Sequence, residues 1–295
     1  MRPSFLITCG FALIPIFATN AAPPFVPNLG PDRATITVTA GEITLLFRQS
    51  SQWTPGRIDY LGTPMTTERS AYGTVFSFPD VGFIGTGHLE NEPEKLKSLA
   101  FILDGKEISE PGESLAGEQF RFVRESSIRN FDLKGEIEVK DDRLYETATF
   151  STVEAAPLKL VYHFMHAWTP TVTAFIAGKD DAPDESIAGP LTDGEEVNRK
   201  FYIQQRVDWM AVYEAQSGQV AVSRLLETPE LGEHVSMIWN VPGTYRKFYL
   251  KCFNNQSVPA GFQGTWRMVT AFGKSDAKNW EASARRLADE LRESK

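Results

Sequence analysis

The sequence contains little cysteine. Of its 295 residues only two are cysteines, Cys9 and Cys252. Cys9 lies in an N-terminal segment that we expect to be removed, so the mature chain would keep one cysteine and form no internal disulfide. The hydrophobic core must then stabilise the fold alone, which is possible because a chain of this size buries most of its apolar surface.

The common local motifs of catalysis and nucleotide binding are also missing. The sequence has no G-x-S-x-G motif, no phosphate-binding loop and no dinucleotide-binding glycine pattern. It has four histidines, and none of them stands in an H-E-x-x-H motif. We therefore expect neither a metal nor a cofactor, and a metal set made of one strand histidine with His88 and Glu90 is the less favoured alternative.

Positive charge is in deficit. The chain has 30 Lys and Arg against 38 Asp and Glu, which gives a formal net charge of −8. An acidic protein repels nucleic acid and anionic membranes, so we expect neither as a partner. A local basic patch can still bind an anionic ligand, and no feature of the sequence fixes the oligomeric state.

Only one long apolar run is present, and it is N-terminal. Residues 5–18 follow Arg2, and small residues including Ala21 and Ala22 come next. This order is typical of a secretory signal, and the run is shorter than the roughly 20 residues that span a bilayer. We predict a signal peptide at 1–22, one domain at 23–295, and a periplasmic or extracellular protein that is free of the membrane after cleavage.

Short alternations of apolar and polar residues fill most of the remaining chain. They are clearest over residues 131–140, and Asp104-Gly105 and Ser217-Gly218 read as hairpin turns. About fifteen strands of this kind are too many for one ordinary open sheet, so they predict two large antiparallel sheets packed face to face. The acidic residues 178–198 read as a long surface loop, and residues 275–292, with Ser275 as the cap, predict one C-terminal helix.

Three histidines stand in unusual surroundings. His88 follows three glycines in six residues, and an extended chain would place Glu90 on its face, where a carboxylate makes an imidazole more basic. His163 and His166 lie on one expected strand, with odd and even numbers on opposite faces. The two should not share a site unless a bulge intervenes. At most one of them is expected to be catalytic.

A second group of candidates could bind a ligand. On the strand after Asn240, Arg246 shares a face with apolar residues, so it needs either a structural carboxylate or a ligand. The opposite face combines aromatic and cationic groups that suit a sugar bearing acid groups: Tyr245, Lys247, Tyr249 and Lys251. Trp168, Trp239 and Tyr72 are further candidate stacking platforms, although large aromatic residues usually lie in the core.

Three segments together resemble the galactose mutarotase (aldose 1-epimerase) superfamily. The first is 157–168, an apolar run that leads to His163, and the second is His88 after its glycines. The third comprises 240–245 and 258–261, which lead into the last strand. The resemblance implies a large antiparallel supersandwich and a sugar or polysaccharide as ligand. The chain departs from the family at Tyr162, where an asparagine is usual, and in lacking a recognisable glutamate base near its end.

The resemblance implies three alternative functions, because this fold also occurs in polysaccharide lyases and in modules that only bind sugar. In an epimerase, His163 would protonate the ring oxygen, Glu90 would take the anomeric proton, and His88 and Arg246 would hold the sugar. In a lyase, Arg246 would neutralise a uronate and Tyr245 or His88 would remove the proton beside it. Both require His88, one strand histidine and Arg246 in one cleft.

The third alternative is a non-catalytic binding module. It predicts a platform of exposed tryptophan and tyrosine side chains, with the histidines buried and apart from one another.

Overall fold

A computed structural model describes residues 34–68, 73–87, 90–193 and 201–292. The predicted signal peptide at 1–22 and the candidates His88 and Tyr72 lie outside the described residues. Most of the described chain is β-strand, and it contains one α-helix, α1 (Trp280–Arg292), near its C-terminal end. The all-β prediction with a C-terminal helix is therefore confirmed.

The described strands form four sheets, and their pairings are antiparallel except for one parallel pair. The five-stranded sheet has the spatial order β4 (Thr63–Pro64), β3 (Thr54–Tyr60), β2 (Ile43–Arg48), β1 (Thr35–Ala40) and β9 (Ser114–Gly117). A short 3₁₀ helix, Gln49–Ser51, joins β2 to β3, and β1 with β9 is the parallel pair.

The largest sheet has ten strands. Its spatial order is β16 (Ser186–Pro190), β15 (Val172–Gly178), β18 (Trp209–Glu214), β19 (Gln219–Glu227), β23 (Gln263–Lys274), β12 (Arg143–Thr152), β11 (Phe131–Lys140), β10 (Phe120–Ile128), β7 (Lys95–Leu103) and β8 (Lys106–Glu107).

The six-stranded sheet carries most of the candidate residues. Its spatial order is β17 (Phe201–Gln205), β20 (Val235–Val241), β21 (Tyr245–Cys252), β14 (Leu160–Trp168), β5 (Thr74–Phe78) and β6 (Gly82–Gly85). Two short strands, β13 (Ala156–Pro157) and β22 (Ser257–Val258), form the fourth sheet.

Aromatic packing joins these sheets into a sandwich. Phe76 of the six-stranded sheet stacks on Phe131 of the ten-stranded sheet, with ring centres 4.6 Å apart. Phe47 of the five-stranded sheet packs edge-on against Phe101 of the same ten-stranded sheet, at 5.2 Å. One layer is therefore the ten-stranded sheet, and the opposing layer is divided between the five- and six-stranded sheets.

The helix covers the other face of the ten-stranded sheet. Trp280 stacks on Tyr213 with ring centres 5.4 Å apart, and the helical positions that face the sheet are buried. The helix begins later than predicted. Asp276 accepts hydrogen bonds from two backbone N–H groups of the preceding turn at 2.9 Å, whereas the predicted cap Ser275 pairs with the hydroxyl of Ser283. No helix in the described ranges is long and apolar enough to span a membrane.

The turn predictions hold, but the loop prediction does not. Leu103 pairs with Lys106 across Asp104-Gly105, and both turn residues have positive φ, as a tight hairpin requires. The hairpin through Ser217-Gly218 joins β18 to β19. The expected loop at 178–198 was wrong in part, because it contains β16, which pairs with β15 and extends the ten-stranded sheet.

Candidate functional site

A β-bulge in β14 decides where its two histidines point. His163 pairs with Leu250 and His166 pairs with Phe248, so two residues of β14 lie opposite one residue of β21. Phe164, inside the bulge, has φ of 55°, which is rare for a bulky side chain. The extra residue reverses the alternation, and both histidines consequently face the core.

His163 is enclosed by the core. It has no exposed surface, its Nδ1 lies 3.0 Å from the Thr74 hydroxyl oxygen, and its ring centre lies 4.4 Å from that of Trp266. Burial lowers the pKa of His163 to about 3, because the core disfavours the charged form. This is the environment of a packed core histidine, and it gives no support to the predicted role of His163 as the acid that protonates a sugar.

His166 and Trp168 are also core residues. Nε2 of His166 lies 2.7 Å from Oε2 of Glu146 on the facing sheet, and the residue is 2% exposed. Trp168 is 1% exposed and packs edge-on against the His166 ring at 5.0 Å. Neither side chain is on the surface that a polysaccharide can reach, so the predicted stacking role of Trp168 has no support in this position.

Arg246 is held by protein groups. Its guanidinium donates hydrogen bonds to the Asp193 carboxylate and to the side-chain oxygen of Asn240. It also donates to the carbonyl oxygens of Val172, at 3.2 Å, and Pro170, at 3.1 Å. The same contact with Arg246 lowers the pKa of Asp193. Of the two roles that the sequence left open for Arg246, these contacts favour the structural ion pair.

Both enzyme hypotheses require a strand histidine and Arg246 in one cleft, and the described residues form no such cleft. A cleft of about 80 Å³ between the sheets is lined by His166, and its described lining includes neither Arg246 nor His163. His88 lies outside the described residues. The two enzyme hypotheses therefore lose the arrangement of histidine and arginine on which they were based.

A different group of side chains occupies the outer face of the six-stranded sheet. We call this the Lys247 face and define it by Tyr162, Met165, Trp239, Tyr245, Lys247 and Tyr249. Strand β21 alternates regularly, so Tyr245, Lys247 and Tyr249 are partly exposed while Arg246, Phe248 and Leu250 are buried. The two-face assignment predicted for this strand is thus correct.

The ammonium of Lys247 lies among three aromatic rings. Its Nζ is 4.5 Å from the ring centre of Tyr162, 4.9 Å from that of Tyr249 and 6.0 Å from that of Trp239. Distances of this size allow cation–π attraction. Burial lowers the pKa of Lys247 to about 8, an effect that the charge of Glu90 opposes. Lys247 is therefore expected to lose its proton at a lower pH than an ordinary lysine.

Glu90 is the electrostatic neighbour of Lys247. Burial raises the pKa of Glu90, and the charge of Lys247 partly offsets this effect. Burial also raises the pKa of Tyr249, to about 12. A carboxyl with a raised pKa beside an ammonium with a lowered one is an arrangement often found at functional sites. Among the described residues, no three His, Cys, Asp or Glu side chains converge as a metal site would require.

Sequence reasoning found part of this face and missed the rest. Tyr245, Lys247 and Tyr249 follow from the alternation of one strand. In the sequence Tyr162 stands out only as a departure from a family pattern, yet in the structure its ring centre is nearer to the Lys247 ammonium than those of Tyr249 and Trp239. No local signal could reveal this contact, because it depends on the register between β14 and β21.

Comparisons with known proteins identify the fold. No protein-family model matches the sequence, and no curated protein matches it. A galactose mutarotase-like protein from Lactobacillus casei ATCC 334 is 9% identical, with a TM-score of 0.50, and the match covers 81% of this chain and 100% of that chain. A galactose mutarotase related enzyme from Lactobacillus acidophilus is 8% identical, with a TM-score of 0.48, and the match covers 82% of this chain and 98% of that chain.

A heparan sulfate lyase from Pedobacter heparinus is also similar over 83% of this chain and 36% of that chain, at 7% identity and a TM-score of 0.41. The chain has the galactose mutarotase-like fold that the sequence resemblance predicted. Identities of this size establish the fold alone, and the site itself must supply any argument about function.

Proposed function

We propose that this is an exported protein that binds a sugar or polysaccharide bearing carboxylate groups, and that the ligand lies on the Lys247 face. One observation carries the proposal: an ammonium lies within 4.5 to 6.0 Å of three aromatic ring centres on the outer face of the sheet. Neither nucleic acid nor a membrane is proposed as a partner, since the net charge of −8 disfavours both.

The chemistry of the Lys247 face suits an acidic sugar. The partly exposed rings of Trp239 and Tyr245 offer flat apolar surfaces for the C–H face of a pyranose. The ammonium of Lys247 offers a charge-assisted hydrogen bond to a carboxylate. The mutarotase-like fold supports a carbohydrate as the ligand class, but the fold by itself does not select it.

The positions of the other candidates favour recognition over epimerisation. His163 is fully buried, His166 is 2% exposed, and Arg246 is 3% exposed and bonded to protein groups. Burial of His163 and His166, together with a partly exposed aromatic face, is what the binding-module hypothesis predicts for these residues.

A second candidate function, a polysaccharide lyase, is favoured by the lowered pKa of Lys247 and the raised pKa of Glu90. The uncharged Lys247 amine would take the proton from the carbon beside a uronate carboxylate. As that C–H bond breaks, a carbon–carbon double bond forms and the bond to the leaving oxygen breaks. A protonated Glu90 would then give its proton to the leaving oxygen. In this assignment Lys247 takes the role of the base, for which the sequence suggested Tyr245 or His88.

Incubation of the purified protein with neutral and uronic-acid polysaccharides tests both functions. Calorimetry measures binding, ultraviolet absorbance detects unsaturated products, and polarimetry detects anomer exchange. Binding restricted to acidic glycans, lost in Lys247→Met and kept in Lys274→Met, is the expected result. Lys274 is the control, because it is exposed and lies on β23 of the ten-stranded sheet, outside the Lys247 face. Full binding by a folded Lys247→Met variant would exclude this site.

Product formation separates the two candidates. An absorbance rise that disappears in both Lys247→Met and Glu90→Gln would identify a lyase, and binding without absorbance or polarimetric change would identify a binding protein. Export is tested separately. N-terminal sequencing of the secreted or periplasmic protein is expected to start at Pro23, and recovery of the intact N-terminus from the cytoplasm would contradict export.

A further inference from the structure

The cleft between the sheets lies on the inner side of β14, and of the residues that define the Lys247 face only Met165, at the bulge, is in its described lining. Its described lining comes from three sheets: Ile58 from the five-stranded sheet, Phe164 and His166 from the six-stranded sheet, and Gly135 and Ala148 from the ten-stranded sheet. With about 80 Å³ of room, it can hold more than one water molecule. The proposed sugar-binding function makes no use of it.

The cleft exists because small residues meet on the inner face of the ten-stranded sheet. Gly135 pairs with Ala148 on one side and with Arg124 on the other. A Cβ built on Gly135 would meet no heavy atom within 4 Å, and Gly135 has no positive φ that would require glycine. The space that a side chain at Gly135 would occupy inside the sandwich is therefore open, because neighbouring side chains do not fill it.

His166 presents an unused acceptor in this setting. Its Nε2 lies 2.7 Å from Oε2 of Glu146, so in the neutral imidazole Nε2 carries the proton and donates it to the carboxylate. Nδ1 is then a bare acceptor, and it is buried without a hydrogen-bond partner among the described residues. A buried acceptor without a partner costs free energy that a bound donor would recover.

The charged side chains of the cleft are already paired within the protein, which favours an uncharged ligand. Arg124 donates to both carboxylate oxygens of Glu94 and to Gln52, so its charge is neutralised, although its Nε has no partner in the described chain. Glu136, also in the lining, is paired with Lys134. An anion entering the cleft would therefore find no unpaired positive charge among these side chains, and the nearby Glu146 carboxylate already accepts a hydrogen bond from His166.

We propose that this cleft is a second binding site, for a small uncharged molecule that has an apolar ring or chain and a hydroxyl group. The apolar part occupies the space beside Gly135 and is packed by Phe164 and Ile58. The hydroxyl donates its hydrogen to Nδ1 of His166. Because a hydroxyl also accepts, the same class of molecule can satisfy Nε of Arg124.

Phenol and toluene are matched probes for this site, because they share a ring and differ in the hydroxyl. Phenol is expected to bind the purified protein about five- to tenfold more tightly than toluene, the range that one hydrogen bond provides. Gly135→Val fills the space and should abolish binding of both probes. Gly112→Val is the control, since Gly112 is exposed, has open space around it and lies outside the cleft lining.

His166→Gln tests the hydrogen bond itself. Its amide N–H can still donate to Glu146, but the variant lacks Nδ1, so it should bind phenol and toluene about equally. Nitrogen-15 NMR of the unmodified protein gives an independent readout. Phenol should shift the Nδ1 resonance of His166 and leave that of His163, which is already bonded to Thr74, unchanged. Equal affinity of the unmodified protein for the two probes, or unchanged phenol binding in Gly135→Val, would overturn the proposal.

Discussion

The Lys247 ammonium lies 4.5 Å from the centre of the Tyr162 ring, although the two residues are far apart in the chain. They meet because β14 and β21 are neighbours: Tyr162 is paired with Lys251, and Lys247 lies on the same strand and the same face as Lys251. The bulge in β14 keeps Tyr162, Met165 and Ala167 on the outer face, where they form a small apolar cluster beneath the lysine. On the outer face, Lys247 therefore supplies a positive charge and the cluster around Tyr162 supplies apolar surface next to it.

The affinity for acidic glycans is predicted to depend on pH through Lys247. Its pKa is about 8, so Lys247 is mostly charged below that pH and loses its positive charge progressively as the pH rises above it. Binding of a uronate polysaccharide should therefore weaken as pH rises through about 8. Calorimetry between pH 6 and 9.5 measures this change. An affinity that stays constant across the range would show that Lys247 does not contact the carboxylate.

The lowered pKa of Lys247 should also make the stability of the fold depend on pH, but stability should rise with pH where glycan affinity falls. The folded pKa of Lys247, about 8, lies below its ordinary value of 10.5. Between those values the unfolded chain holds the proton more tightly, so the free energy of unfolding rises with pH. The gain should be larger in the unmodified protein than in Lys247→Met, as measured by urea unfolding at pH 7.5 and 10. Equal gains would contradict the lowered pKa.

His163 is predicted to remain neutral in the folded protein and to be dispensable for glycan binding. With a pKa of about 3, its NMR signals should not titrate between pH 5 and 8. Because the unfolded chain takes up this proton near the ordinary histidine pKa of 6.5, the contribution of His163 to stability is lost as pH falls from 6.5 toward 3. Folded His163→Gln should bind glycans normally, and loss of binding or activity at full stability would restore its catalytic assignment.

Arg246 is predicted to act on stability and not on binding. Arg246→Met removes hydrogen bonds to four protein groups, including the buried Asn240, and should lower the free energy of unfolding by about 2 to 3 kcal/mol. Arg267→Met is the control. Arg267 is half exposed and lies 3.9 Å from Glu227, so its loss should change stability by about 0.5 kcal/mol or less. A stable Arg246→Met variant that cannot bind glycans would assign Arg246 to the ligand.

The bulge at Phe164 should be essential for folding. Deletion of Phe164 would restore simple alternation, turn His166 and Trp168 outward, and turn Met165 and Ala167 into the core. We expect this variant not to fold. Phe164→Gly keeps the extra residue and its positive φ, so it should fold, with stability reduced by about 3 kcal/mol for the lost buried ring. Circular dichroism and urea unfolding distinguish the two, and a stable deletion variant would contradict the assigned register.

Much of the architecture is visible in local patterns. The Asp104-Gly105 turn, the hairpin through Ser217-Gly218 and the alternation of 131–140 each appear where they were predicted. The covalent geometry of the chain sets these features, since side chains in a strand alternate with a period of two and tight hairpins require residues that tolerate positive φ. The same alternation determined the two faces of β21.

Only the tertiary structure decided the site. The alternation rule placed His163 and His166 on opposite faces, and one extra residue in β14 placed both in the core. Whether Arg246 was free for a ligand depended on Asp193, 53 positions away in sequence. Bulges, strand register and the partners of buried charges are set by how sheets pack against each other. The sequence by itself determined which strands form and which way most of them face, and packing between distant strands decided which polar groups remain available to a ligand.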